Sequence, residues 1–216
     1  MKDWALFLAG RYHARDFAFY RRLARGRIRV AVDGGYRYFE RSQTFPHVLI
    51  GDFDSFRPTP QRLPPRTMVL SFPADKDQTD TELALDYCLE SGAGSIDIIQ
   101  PTLGDPDHFL ANLFLLTGKA DSPRSGKVSI RLVGPRFEAL YLEDGSHEFH
   151  QAGGSTVSVI PVSASIGLTC TGTAFDVNRC RIARGRTRST RNRIVTSRAS
   201  FEVSGQAFLV RLYRRR

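Results

Sequence analysis

Short apolar runs alternate with helical segments through the first part of the chain. The strand-like runs are "ALFLAG", "RIRVAVDGG", "HVLIGDFDS", "TMVLSFP" and "SIDIIQP". The segments with helical spacing are "DFAFYRRLARG", "TDTELALDYCLES" and "PDHFLANLFLLTG". Because short apolar strands joined through helices pair in parallel and are covered on both faces, this alternation predicts a parallel sheet between two helical layers.

The pattern changes after about residue 126. Short alternating segments such as "STVSVIPVS" and "ASFEVSGQAFLVRLY" follow one another with turn residues between them, which is typical of an antiparallel sandwich or barrel-like unit. The sequence therefore predicts an α/β protein with an N-terminal parallel-sheet α/β/α domain over residues 1–125. A smaller C-terminal antiparallel β-sandwich domain is predicted over 126–216, with the boundary near "TGKADSPRSGKV".

The positive charge lies in the C-terminal part. The 216 residues carry a formal net charge of +9, and residues 1–125 balance 16 Lys and Arg against 16 Asp and Glu. Residues 126–216 carry 15 against 6, and seven arginines fall between Arg179 and Arg193. Such a patch suits nucleic acid, an acidic surface or the phosphates of a small substrate, and equally a solvated arginine-rich face.

The apolar segments and the cysteines indicate the cellular compartment in which the protein is expected. No run of about 18 apolar residues exists, and the apolar run near the N-terminus is too short for a signal-peptide core. The cysteines Cys88, Cys170 and Cys180 form no CxxC pair and show no metal-site spacing. We therefore expect a soluble cytoplasmic protein without a membrane partner.

Aspartates follow four consecutive predicted strands. They are Asp33, Asp52, Asp54, Asp75, Asp77, Asp80, Asp105 and Asp107. Ligands of open parallel sheets bind beyond the carboxyl ends of the strands, and Mg²⁺ commonly bridges a few carboxylates to substrate phosphates. Any single aspartate could instead be a turn or cap residue. Four loops together favour a magnesium site, of which the Asp52 and Asp54 pair, aligned on one side of an extended chain, would form half.

Two of these acidic loops open onto predicted helices. "TDTELAL" fits a capping box with Thr79 as N-cap and Glu82 as its partner. In "GDPDHFLANL", Pro106 suits the first helical position, which places Asp107 and His108 in the first turn. His108 could be a hydrogen-bonded structural histidine, but helix N-termini also bind phosphate.

The acidic motifs together resemble a known family. "AVDGGYRYF", "VLIGDFDS", "DKDQTDTELAL" and "GDPDHFLANL", in this order, are similar to the thiamine pyrophosphokinases, and "GLTCTGTAFDV" with "GRTRSTRN" resembles the family's second signature. The resemblance implies transfer of a diphosphate from ATP, the co-substrate, to the hydroxyl of thiamine, with release of AMP and with Mg²⁺ as cofactor. It also implies a homodimer with sites at the subunit interface.

The resemblance also implies catalytic and binding roles for individual residues. The implied catalytic acids are Asp52, Asp54, Asp77, Asp80 and Asp107, and the implied metal ligands among them are Asp52, Asp54 and Asp80. Asp77, Asp80 and Asp107 stay open as acceptors of the hydroxyl proton. Asp33 and His108 are implied to bind the co-substrate, while Ser189 and Asn192 fall in the loop that contributes to thiamine recognition.

The chain departs from the family pattern at a few positions. Leu103 and Asp105 stand where a glycine and an arginine are usual, Arg191 replaces a small hydroxyl, and Phe175 replaces a larger aromatic residue. Arg191 would disfavour cationic thiamine if it pointed into the pocket. Two alternatives follow: a pyrophosphokinase for another alcohol such as a hydroxymethylpterin, and a non-catalytic relative that binds nucleotide or nucleic acid. The retained acids argue against the second, so nucleic acid is not an expected partner.

Overall fold

The structure, a computed structural model, describes residues 2–53, 63–118, 128–150 and 152–213. The chain divides into two compact units, Met1–Pro135 and Arg136–Arg216. The sequence predicted a boundary between residues 125 and 126, and most of the predicted linker, residues 119–127, lies outside the described residues.

The first unit alternates strands and helices. In the described part its strands are β1 Lys2–Phe7, β2 Ile28–Val32, β3 Val48–Gly51, β4 Met68–Ser71, β5 Ala93–Ile99 and β6 Ser129–Gly134. Its α-helices are α1 Phe17–Ala24, α2 Tyr36–Ser42, α3 Asp80–Glu90 and α4 Pro106–Gly118. The sequence pattern predicted every one of these elements except α2, which at seven residues is too short for its apolar spacing to stand out.

The six strands of this unit form a parallel sheet in the order β6-β5-β1-β2-β3-β4. The predicted parallel pairing is therefore confirmed. The strand β6 was assigned from its sequence to the second domain, but it pairs in parallel with β5. The division of the chain consequently falls after Pro135, because a strand belongs to the sheet that satisfies its backbone hydrogen bonds.

Helices cover both faces of this sheet. Successive residues of β1 point to opposite faces, and both Leu6 and Phe7 are fully buried. Phe7 joins a core cluster with Leu23 of α1 and Phe39 of α2, whereas α3 packs on β1, β2, β3 and β5. The apolar strands are buried from both sides, as expected of a parallel sheet.

The second unit is antiparallel. Its described strands are β7 Phe137–Leu142, β8 Gly145–His150, β9 Thr156–Pro161, β10 Ser165–Thr171, β11 Val177–Ala183, β12 Asn192–Arg193, β13 Arg198–Ser204 and β14 Ala207–Leu212. They are ordered β12-β9-β14-β7 and β11-β10-β13-β8. Val159 and Leu209 from the first group and Leu168 and Phe201 from the second share one buried cluster, so the two groups form the predicted sandwich.

Within the described ranges, no helix is long and apolar enough to cross a membrane.

Candidate active site

A cavity of about 510 Å³ opens at the carboxyl ends of the strands in the first unit. Its walls come from the segments that follow five neighbouring strands, β5, β1, β2, β3 and β4. The lining residues with polar side chains are Asp33, Asp52, Lys76, Gln78, Thr79, Asp80, Thr81, Gln100, Thr102, Asp105, His108 and Asn112. The prediction that acidic loops converge at this edge is therefore confirmed for Asp33, Asp52, Asp80 and Asp105.

Two glycines allow the acidic loops to approach one another. A Cβ atom on Gly35 would lie 1.8 Å from the carbonyl oxygen of Phe7, so the turn after β2 can pack against β1 only with glycine there. A Cβ atom on Gly51 would lie 3.1 Å from Cα of Asp33. The glycines beside these acids thus bring the end of β2 next to the ends of β1 and β3.

The strand end after β3 differs from the expected extended chain. β3 ends at Gly51, and Phe53 has a φ of 57°. This left-handed conformation is uncommon for a bulky residue, and it shows that the chain leaves the extended conformation at Phe53. Asp52 is half-buried and lines the cavity. Asp54, a predicted catalytic residue and metal ligand, lies outside the described residues.

Lys76 is a charged residue of this site that the sequence reasoning missed. Its ammonium nitrogen lies 3.0 Å from Oδ1 of Asp80 and 3.8 Å from Oδ2 of Asp52. Burial raises the pKa of Asp80, the Lys76 ammonium opposes that rise, and the carboxylates of Asp52 and Asp33 add to it. The signal was visible in "DKDQTD", where one basic residue stands among the acids at the start of α3.

The N-terminus of α3 forms part of the cavity wall. Thr79 is the N-cap, and its hydroxyl oxygen accepts a hydrogen bond of 3.2 Å from the backbone N–H of Glu82. The predicted N-cap is thereby confirmed. Asp80 begins the helix, where a negative charge is favoured by the helix dipole.

The loop before α4 is held by a buried amide pair that the sequence analysis did not single out. Gln100, only 4% exposed, donates from Nε2 to the carbonyl oxygen of Leu103 at 2.9 Å. Asn112 of α4 donates to Oε1 of Gln100 at 3.3 Å. This pair fixes the unusual loop, and it leaves Asp105 and His108 exposed on the cavity wall.

Two predicted catalytic acids are not among the described residues that line the cavity. Asp77 is exposed. Asp107 is also exposed, and its Oδ1 accepts a hydrogen bond of 2.8 Å from the backbone N–H of His108. Of the three acids left open as proton acceptors, Asp80 lines the cavity.

The described residues include no group of three or more His, Cys, Asp and Glu side chains arranged to hold a metal ion. Mg²⁺ is usually bound through one or two carboxylates together with substrate phosphates. Oxygens of Asp52 and Asp80 already lie within 4 Å of one cation, the Lys76 ammonium. These two carboxylates therefore fit a magnesium ion that shares its coordination sphere with a phosphate chain.

The second unit contains a cavity of its own, also about 510 Å³. Apolar core residues of β9, β10, β11 and β13 form its floor, and the loop before β12 closes one side. Both predicted recognition residues, Ser189 and Asn192, line it. The Ser189 hydroxyl donates to the carbonyl oxygen of Val159 at 2.5 Å, so this hydroxyl is already used in holding the loop on β9.

Asn192 brackets the segment that carries Phe175. Its Nδ2 donates to the carbonyl oxygen of Phe175 at 2.8 Å and to Oγ1 of Thr173 at 3.0 Å. Its Oδ1 accepts from the backbone N–H groups of Phe175 at 3.2 Å and of Arg193 at 2.9 Å. The Phe175 ring on this fixed peptide lines the cavity and is 74% exposed.

Charges of both signs stand at this second cavity. Arg188 and Arg191 line it, so the small-hydroxyl position of the family pattern does present a cation there. Asp176 lines it as well, and the backbone N–H of Thr173, helped by the Thr173 hydroxyl, lowers the pKa of Asp176. The Asp176 carboxylate is therefore ionised at neutral pH and offers a negative charge to a ligand.

The fold and the two cavities define an α/β protein whose strand-end cavity gathers several carboxylates around one lysine. The family model described as "Thiamin pyrophosphokinase, catalytic domain" matches residues 19–125. The thiamine pyrophosphokinase of Bacillus subtilis is 32% identical over 178 residues, 80% of each chain. The chain therefore belongs to the thiamine pyrophosphokinase family, as the sequence motifs predicted.

Solved structures agree with this assignment. The crystal structure of thiamine pyrophosphokinase from Bacillus subtilis superposes with a TM-score of 0.82 at 28% identity, covering 99% of this chain and 100% of that one. The structure of the Geobacillus thermodenitrificans protein gives a TM-score of 0.79 at 28% identity, covering 98% and 97%. The similarity thus extends over both units.

Proposed function

We propose that this protein transfers a diphosphate from ATP to the hydroxyl group of thiamine, yielding thiamine diphosphate and AMP. The observation that carries the proposal is the strand-end cavity, where Asp33, Asp52 and Asp80 meet in a member of this family. We assign the nucleotide to this cavity and the alcohol to the cavity of the second unit. Family membership and the acidic site together disfavour a non-catalytic nucleic-acid-binding role.

Asp52 and Asp80 would hold the magnesium ion, with Asp54 predicted from the sequence as a third ligand. When bound, the ion supplies positive charge that offsets the charge on the phosphate oxygens. Asp33, brought close by Gly51, adds a further carboxylate beside these two. Electrostatic positioning of this kind is the main source of catalysis in phosphoryl transfer.

The reaction makes one bond and breaks one bond at phosphorus. The hydroxyl oxygen of thiamine attacks the β-phosphorus of ATP, and the bond from that phosphorus to the bridging oxygen of the α-phosphate breaks. AMP leaves with the bridging oxygen and both electrons of that bond. The hydroxyl proton passes to a basic group of the cavity wall, for which we propose Asp80 over Asp77 and Asp107, because Asp80 lines the cavity. The acceptor would be the carboxylate oxygen of Asp80 that does not hold the metal.

The second cavity has features that suit thiamine. The exposed Phe175 ring offers a flat apolar surface for an aromatic heterocycle, and Asp176 offers a negative charge to the thiazolium cation. Arg188 and Arg191 oppose that charge. This opposition is the observation that favours an uncharged alcohol, such as a hydroxymethylpterin, as the second candidate acceptor.

One assay separates these acceptors. Purified protein is incubated with ATP and MgCl₂ and with thiamine or a hydroxymethylpterin, and AMP and the diphosphate ester are followed by chromatography. We expect AMP and thiamine diphosphate in equal amounts. AMP formed with the pterin alone would reject thiamine as acceptor, and no AMP with either alcohol would reject the proposed reaction.

The metal assignment is tested with matched Asp-to-Asn variants. Asp52→Asn should lower kcat by at least about a hundredfold, the scale on which removal of one electrostatic contribution acts, while the circular dichroism spectrum is unchanged. Asp16→Asn is the control, since Asp16 makes an ion pair of 3.8 Å with the exposed Arg15 and does not line the cavity. Equal activities of the two variants would remove Asp52 from the site.

The homodimer and the cytoplasmic location stay predictions from the sequence. Sedimentation equilibrium of the purified chain measures the first, since a dimer has twice the chain mass of 24.2 kDa. A monomer that is fully active would contradict the predicted interfacial site.

A further inference from the structure

The Lys76 side chain is folded into the acidic cavity instead of extending into water. It is 16% exposed, and its ammonium lies 3.0 Å from Asp80 and 3.8 Å from Asp52. The ammonium also donates to the carbonyl oxygen of Pro73 at 3.0 Å. Lysine ordinarily keeps its strongly hydrated ammonium in water, so three oxygen partners are needed to hold it here.

The local backbone directs this ammonium to the carboxylates. Lys76 precedes the N-cap Thr79, and Asp80 is the first residue of α3. The contact of Lys76 with Pro73 closes the loop on itself, and the ammonium held in this way lies 3.8 Å from Asp52. Because carboxylates that share a partly buried site repel one another, the ammonium offsets charge that would otherwise open the cluster.

We propose that Lys76 is a built-in counter-cation, a positioning residue that holds Asp52 and Asp80 together until a divalent cation arrives with the nucleotide. The ammonium and the divalent cation compete for the same two carboxylates, so the ammonium leaves them when the metal binds. The phosphate chain then offers the ammonium new oxygen partners. Metal binding is thereby coupled to nucleotide binding, and this inference rests on the function proposed above.

The test measures Mn²⁺ binding to the full-length, nucleotide-free protein by electron paramagnetic resonance. Before the metal can bind, the ammonium must give up its ion pairs with the two carboxylates, and two partly exposed pairs together correspond to about a tenfold loss of metal affinity. Lys76→Met should therefore bind Mn²⁺ about tenfold more tightly than the wild type. Lys76→Arg, which keeps the charge, should stay within about threefold of the wild type.

The matched control is Lys2→Met, which removes an exposed lysine at the start of β1 and should leave the Mn²⁺ affinity unchanged. Lys76→Met should also have a lower metal-free Tm than the wild type, and Mn²⁺ should raise that Tm by more than it raises the Tm of the wild type. A merely structural lysine would not give tighter metal binding on removal. If Lys76→Met fails to fold, Lys76→Gln replaces it in the same measurements.

Unchanged or weaker Mn²⁺ binding by the folded variant would overturn the proposal. So would a loss of affinity for a nonhydrolysable ATP analogue with no change in Mn²⁺ affinity, because Lys76 would then be a phosphate ligand alone. Failure of the proposed function is distinguishable. If the wild type makes no thiamine diphosphate but Lys76→Met binds Mn²⁺ more tightly, the proposed reaction is rejected and the counter-cation role of Lys76 is retained.

Discussion

Replacing Asn192 by alanine removes the side chain that brackets the Phe175 peptide. The wild-type amide makes three hydrogen bonds to the turn at residues 173–175, namely with the N–H and carbonyl of Phe175 and with the hydroxyl of Thr173. The substitution should release Phe175 from its fixed position at the cavity of the second unit. It also tests whether Asn192 recognises thiamine directly, as the family resemblance implies, or positions the ring that does.

The magnitude follows from these contacts. A net intramolecular hydrogen bond contributes about 1 kcal/mol, so three would contribute about 3 kcal/mol. Phe175 is 74% exposed, and water can therefore satisfy its freed peptide groups in part. We expect Asn192→Ala to lower the free energy of unfolding by about 2 kcal/mol, and to raise the KM for thiamine more than it lowers kcat.

Urea unfolding followed by fluorescence measures the stability, and initial rates of AMP release give kcat and KM. Asn192→Asp keeps the acceptor oxygen but loses the two donors, so its stability should fall between those of the wild type and Asn192→Ala. Val195→Ala is the control, a substitution of an exposed residue nearby. A raised KM with wild-type stability would refute the positioning role, because Asn192 would then contact thiamine without holding the turn.

Three further predictions follow from contacts described by the structure. Asp97 is 3% exposed and forms ion pairs with Arg27 and Arg131. Asp97→Asn should therefore lower the free energy of unfolding, measured by urea unfolding, by about 3 kcal/mol. Asp176→Asn should lower the thermal unfolding midpoint at neutral pH, because folding lowers the pKa of Asp176. The ionised carboxylate therefore stabilises the folded protein above the ordinary carboxyl pKa, and this stabilisation is lost as the pH falls through the folded pKa. The two midpoints should therefore converge in acid, and a constant difference would reject the charged hydrogen bond to Thr173. Gly35→Ala should prevent accumulation of soluble protein, since its Cβ would overlap the carbonyl of Phe7, whereas normal expression would contradict the close packing.

The parallel sheet and the position of its cavity could be predicted because both depend on local patterns. Apolar runs separated by helical spacing require parallel pairing, and acids placed just after the runs must then meet at one edge. Asp33, Asp52 and Asp80 line the cavity for this reason. The N-cap Thr79 was equally readable, because a capping hydrogen bond spans only three residues.

The sequence did not predict features that depend on contacts between distant segments. The strand Ser129–Gly134 reads as alternating and turn-flanked, yet its pairing with β5 places it in the first unit. Asp77 and Asp107 belong to the same motifs as Asp80 and His108, but they are not among the described residues that line the cavity. A motif specifies where a residue stands in the sequence. The direction in which a loop side chain points depends on the residues that pack beside it.

The sequence by itself determined the family, the two-part organisation and the edge of the sheet that carries the acids, because residue order and spacing encode all three. Only the tertiary structure decided what the polar side chains do. It shows the Asn192 amide hydrogen-bonded to the Phe175 peptide, and it places the Lys76 ammonium within 4 Å of both Asp52 and Asp80. The contacts of Asn192 with Phe175 and of Lys76 with Asp52 join segments that are separate in the sequence, and such partners meet only once the chain has folded.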